Sequence, residues 1–237
     1  MNQSSNPAPQ GIDAPTSPNP ARLSRWVLLG GFILAAAGAS YAPWVYRPPA
    51  ALILTAPDLA EFVKFLPDVR DGSLAMHRLL FLLPLFVATF GLPLMVMARR
   101  LAYPRWVRWP ILAMVIPLAL TLLPPVWSPG VLLSPEFRLQ TLACLVCLAL
   151  CASSRWLGVV PAGPMLLVSI PISLAAPILA LWQFFVARPS IARAYASPIV
   201  PGWGAWLTMI GFALVALGAL LSLRRLRVPT APHASQR

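Results

Sequence analysis

The 237-residue sequence reads as an all-α integral membrane protein, a polytopic helical bundle of six transmembrane helices, and three observations carry that reading. Hydrophobic residues make up 59% of the chain and charged residues 10%, whereas roughly a quarter of an ordinary soluble domain is charged. Apolar runs of about 20 residues recur, the length that spans a ~30 Å hydrocarbon core at ~1.5 Å rise per residue. The cations, seventeen Arg and Lys64, sit mostly beside the ends of those runs.

Residues 1–22, opening MNQSSNPAPQ, are rich in Pro, Ser and Asn. They hold too little apolar surface to offset the entropy of ordering and read as a disordered cytoplasmic tail. After Arg22 and Arg25 the first span covers about 26–45. Its AAAGASYA segment also matches the end of a signal peptide, but the apolar continuation through Pro43, Trp44 and Val45 favours an uncleaved anchor. The remaining spans are placed at about 79–97, 111–126, 139–152, 165–186 and 203–223, with a cytoplasmic tail at 228–237. The fourth is short, and Arg138 and Arg155 snorkel from its ends to the headgroups. The apolar stretch around the fifth is too long for one perpendicular span and holds Pro171 and Pro177, which predict a bent or broken helix.

Orientation follows from the basic residues, which are retained on the cytoplasmic side. With both termini inside, the cytoplasmic segments hold eleven cations and one acid, and the outer segments seven cations and five acids. The balance is +10 inside against +2 outside. The loop at 47–78 is then the long outer connection, and it contains TAPDLAEFVKFLPDVRDG, with four of the six acids of the chain. Within it Pro57 suits a first helical turn, and Asp58 and Glu61 suit the positive helix end. Leu59, Phe62, Val63 and Leu66 recur at helical spacing, and Pro67 is a stop. The expectation is a short amphipathic helix lying in the headgroup plane or capping the bundle, with Asp58, Glu61 and Lys64 displayed to water. These residues form a candidate outer gate or partner-binding helix.

Small residues mark two packing faces, Gly31, Ala35 and Ala39 on the first span and Gly204, Gly211 and Gly218 on the sixth. Cys144, Cys147 and Cys151 share one helix face, and packing accounts for them better than a soft-metal site without a fourth ligand.

No Asp, Glu or Lys falls inside a predicted span, which argues against carriers and proteases built on buried ionisable groups. A lone His77 at a membrane edge makes no bis-histidine site. No phosphate-binding lysine loop, nucleophile elbow or dinucleotide glycine pattern occurs, so no catalytic, cofactor or metal site is assigned. The net charge of +12 is not gathered on a soluble module with interleaved aromatics, which excludes a nucleic-acid partner.

The sequence therefore points to a permease-like or accessory subunit of a bacterial membrane transport complex in the plasma membrane. Its partners would be the bilayer and an ATPase or second membrane subunit, docked at the basic cytoplasmic loop of Arg99, Arg100, Arg105 and Arg108. Alternatives are a structural or assembly protein that binds a partner through the outer helix, and a lipid-acting enzyme using Asp58, Glu61, Asp68, Asp71 or His77.

Overall fold

A computed structural model describes residues 20–47 and 52–226 of the chain. Most of the two predicted tails lies outside these residues, but Pro20, Ala21 and Arg22 already belong to the first helix. That helix, α1 (Pro20–Ser40), begins before the apolar run and ends before Pro43. Its end is fixed by Trp44, whose buried indole N–H donates to the Gly38 carbonyl at 3.1 Å and folds the chain back over the last turn. Val45 then enters a two-stranded antiparallel hairpin that the sequence reading had missed, β1 (Val45–Arg47) and β2 (Leu52–Leu54), with Val45 opposite Leu54.

The outer connection continues as α2 (Ala56–Phe62), a 3-10 turn over Val63–Phe65 and the single turn α3 (Pro67–Arg70). The chain enters the bundle through a 3-10 turn at Arg78–Leu80 and then α4 (Leu83–Met97). After another 3-10 turn, Arg99–Leu101, it returns as α5 (Arg105–Leu120). This helix starts earlier than expected because Pro104 supplies an extended N-cap, and it ends before Pro124 and Pro125, which cannot continue it. The turn α6 (Pro129–Leu132) leads to α7 (Arg138–Ala152) and the turn α8 (Ser154–Leu157). The fold closes with α9 (Ala162–Ala194) and α10 (Trp203–Leu226).

Apart from the hairpin, the regular structure among the described residues is helical. Three helices, α1, α9 and α10, are long and apolar enough to cross a membrane. The helices α4, α5 and α7 have 15, 16 and 15 residues, about 22–24 Å at the α-helical rise. The stretch expected to be bent or broken is not broken: α9 runs as one helix of 33 residues through Pro171, Pro177 and Pro189. At about 50 Å it is longer than a hydrocarbon core is thick, and its C-terminal turns meet the connection between α1 and α4.

The helix α4 is central and touches α1, α5, α7 and α9, while α10 lies against α1 and α9. The pairing of α1 with α10 uses the two small-residue faces that the sequence marked. A methyl group on Gly211 would sit 2.4 Å from the Ala35 backbone nitrogen, and one on Gly218 would sit 2.6 Å from that of Leu28. One on Gly31 would meet the Gly211 carbonyl at 2.7 Å. Such backbone-to-backbone approach is how helices gain dispersion contacts in lipid, where no hydrophobic force separates them from acyl chains. Cys144 and Cys147 are buried in the core of the bundle, and the Cys151 thiol donates to the Leu112 carbonyl of α5 at 3.3 Å.

Exposed tryptophans gather toward the two ends of the bundle, Trp26, Trp106, Trp109 and Trp156 at one, Trp127, Trp203 and Trp206 at the other, while Trp182 is exposed within α9. This double girdle is the pattern of rings seated at two headgroup layers. The protein is membrane-embedded in character, all-α, with its N-terminal helix locked to its C-terminal one.

Candidate functional site

The outer connection folds into a cap over one end of the bundle. Thr55 is its N-cap, and its hydroxyl accepts from the Asp58 backbone N–H while the Asp58 carboxylate accepts from the Thr55 N–H at 2.9 Å and hydroxyl at 2.7 Å. This reciprocal capping box satisfies orphan donors at the start of a helix too short to be stable alone. Leu59, Val63 and Leu66 are buried on the bundle, and the Phe62 ring lies 5.9 Å from that of Tyr195 beyond α9. The predicted apolar face is therefore spent inside the chain. At Leu66 the backbone becomes extended, and Pro67 opens a new turn as well as ending the old one.

Asp58, Glu61 and Lys64 were expected to face water; Asp58 is exposed, and the structure corrects the expectation for Glu61 and Lys64. Glu61 pairs with Lys64 and, at 2.8 Å, with Arg78 ahead of α4. Lys64 also donates to Glu136 ahead of α7 at 2.8 Å, and Arg78 donates to the Glu136 backbone carbonyl at 2.6 Å. Both cations stand 4.8 Å from the centre of the Phe137 ring. The Lys64 hydrogen bond, with Arg78 nearby, holds the Glu136 carboxyl below the usual glutamate range. On the opposite side, Asp68 accepts from the Ser190 hydroxyl and the Arg193 guanidinium on the projecting end of α9. The cap is thus latched to three elements.

Beneath it lies a cavity of about 520 Å³, inside the size range of small-molecule sites. Pro57, Asp58 and Glu61 form its roof, and Leu82, Thr121 and Gln140 are among its walls. Gln140, on the first turn of α7, is 4% exposed and its side-chain oxygen has no hydrogen-bond partner. Leaving such a group unpaired costs about 1–3 kcal/mol. An apolar hollow of about 130 Å³ shares Leu82 and Gln140 with the cavity and is otherwise lined by residues such as Leu79, Phe86 and Leu139. The combined space is lined by Asp58, Glu61 and the Gln140 amide at one side and by hydrocarbon at the other.

The remaining sequence candidates are scattered. Asp71 accepts from the Ser73 backbone N–H at 2.9 Å, which lowers its carboxyl from the usual range, and His77 precedes the turn into α4. Among the described residues no group of three or more His, Cys, Asp or Glu could hold a metal ion. At the end of the bundle opposite the cap the basic loop divides. The Arg99 side chain lies against Gly158, Arg105 is exposed, and Arg108 donates to the Tyr103 carbonyl at 2.7 Å. Arg100 turns instead toward a pocket between α1 and α10.

Sequence reading had picked out Asp58 and Glu61 but had passed over Gln140, Thr121, Arg78 and Glu136. Gln140 carried one usable signal, being an uncharged polar residue just inside an apolar run. No family model matches the chain, and no curated protein or solved structure matches it.

Proposed function

We propose that the chain is a permease-like subunit of a transport complex in a bacterial plasma membrane. It would cross the bilayer six times with both termini inside and receive a small ammonium-bearing solute with a short aliphatic tail in the outer cavity. The supporting observation is that Asp58, Glu61 and the buried Gln140, whose side-chain oxygen is unpaired, line one cavity that borders an apolar hollow. An ammonium group supplies donors and no acceptor, which complements that set. The inner loop with Arg99 and Arg105 would serve as the contact for an ATPase or a second membrane subunit.

Thermal melting of the detergent-purified full chain with millimolar butylamine, ethanolamine or butyrate tests the site. The amines raise the melting temperature and butyrate does not. The shift disappears in Gln140→Leu and in Asp58→Asn, which keeps an acceptor for the capping box while removing the charge. Equal shifts with amine and carboxylate, or shifts unchanged in both variants, refute the reading.

A second reading, an assembly protein that binds an outer partner through its cap, draws on Phe65, 71% exposed, and on the exposed Tyr46 and Ile53. Leu66 and Phe62 serve the bundle, so Phe65→Asp is the change that would release such a partner while leaving the fold intact.

A further inference from the structure

At the inner end of the bundle a pocket of about 380 Å³ lies where α1, α9, α10 and the turn after α4 meet. Four guanidinium-bearing residues line it, Arg22 and Arg25 from α1, Arg100 from the turn and Arg225 from α10, together with Ser24 and Ser222. No carboxylate is among the lining residues, and all five acids of the described residues belong to the outer connection or to Glu136. Arg25 is held in place by the turn after α4. Its Nη1 donates to the carbonyls of Leu101 at 3.2 Å and Ala102 at 2.8 Å. Its Nε is buried and has no hydrogen-bond partner, although the guanidinium lies over the Trp26 ring. Four like charges around one hollow repel one another unless an anion sits among them.

The same stretch of α9 also lines an apolar groove. Leu166 lines the pocket, and Met165 and Ile172 line a second cavity of about 120 Å³ against Phe32, Gly91 and Met95. Ile172 and its neighbour Val168 are exposed along the flank of the helix, so the groove opens sideways toward the bilayer. A methyl group on Gly91 would lie 2.5 Å from the Phe32 ring, so glycine is what lets that ring occupy the groove wall.

We infer that the arginine pocket and the adjoining groove together hold one anionic phospholipid of the inner leaflet. Its phosphate sits among Arg22, Arg25, Arg100 and Arg225, and an acyl chain lies along α9. Phosphate oxygens accept the unspent guanidinium donors, and the planar fork of arginine suits them. A free phosphate shares that chemistry but has no use for the groove. Such a lipid would tie α1, α9 and α10 together at the end opposite the cap, independently of any solute in the outer cavity.

Native mass spectrometry of the full chain in mild detergent, titrated with dioleoyl phosphatidylglycerol, cardiolipin or dioleoyl phosphatidylcholine, tests the site. Inorganic phosphate is scored separately as a stabiliser of thermal melting. The anionic lipids are retained at least about tenfold better than phosphatidylcholine. The pair Arg22→Gln with Arg100→Gln lowers their retention by roughly 25-fold, taking about fivefold for each basic residue at an anionic surface. Met165→Trp, which fills the groove, weakens lipid retention while the charges remain. If the paired variant does not elute as a folded species, Arg225→Gln replaces it, with about a fivefold loss expected. Equal retention of neutral and anionic lipid, or no loss in the arginine variants, overturns the proposal. So does protection by millimolar phosphate equal to that by lipid and indifferent to Met165→Trp, which would assign the pocket to a free anion.

Discussion

Glu136 shows how much of the outer site depends on single side chains that are remote in sequence. It lies 72 residues from Lys64 and 58 from Arg78, so no local pattern could have paired them. The Thr55 and Asp58 capping box, by contrast, is written in a four-residue stretch, and the helix start was legible there. Because the folded-state carboxyl of Glu136 is lowered from its ordinary value of 4.5, its contribution is present above pH 4.5 and is lost as pH falls through the lowered value. Half of its side chain is exposed, so the pair contributes under about 1 kcal/mol. Melting curves from pH 7 to pH 3.5 should show the wild-type chain losing stability in the acid range. Glu136→Gln should start slightly lower at pH 7 and lose less. Ala102 offers a complementary test, since it sits in the left-handed region at φ 47° as it presents its carbonyl to Arg25. Ala102→Gly should raise stability by about 0.5–1 kcal/mol, read from the same melts.

At the level of helices, the α1–α10 pair was the most legible feature, because small residues at i, i+4 and i+7 spacings have one common physical use in lipid. The faces meet each other within the chain, which the spacing alone left open between an internal and an external partner. Gly211→Leu should separate the two helices, because the added side chain meets the Ala35 backbone, which cannot turn aside as a side-chain end can. The expected loss is about 3 kcal/mol or more of stability. Gly30→Leu is the control, since nothing lies within 4 Å of a Cβ added there. Detergent melting of the two variants should differ sharply, and equal melting temperatures would deny the pairing. The helix α9 stays unbroken for a physical reason. Proline removes one N–H and bends a helix, yet a helix packed along α10 and α4 retains its remaining bonds. The hairpin Val45–Leu54 was missed because its strands are three residues each, too short to show an alternating pattern.

Over the whole molecule, charge is segregated along the bundle axis. Of the five acids of the described residues, Glu61, Glu136 and Asp68 bind the cap to the segments ahead of α4 and α7 and to the end of α9, while Arg22, Arg25, Arg100 and Arg225 crowd the opposite end without acidic partners among the lining residues. That asymmetry was fully legible in composition and order, because it depends only on which side of each apolar run a charge falls. The cavities were not, because each draws residues from three or more elements whose contacts are set by tertiary packing. Both proposed sites depend on one claim, that the cap faces outward and the arginine pocket inward. Single cysteines placed in a chain whose three native cysteines are replaced by alanine measure this directly, using a membrane-impermeant thiol reagent on intact cells. Ala75→Cys and Leu133→Cys should label from outside, and Arg105→Cys and Arg155→Cys only after the membrane is opened. Labelling of positions 105 and 155 in intact cells, or protection of 75 and 133 there, would contradict the account.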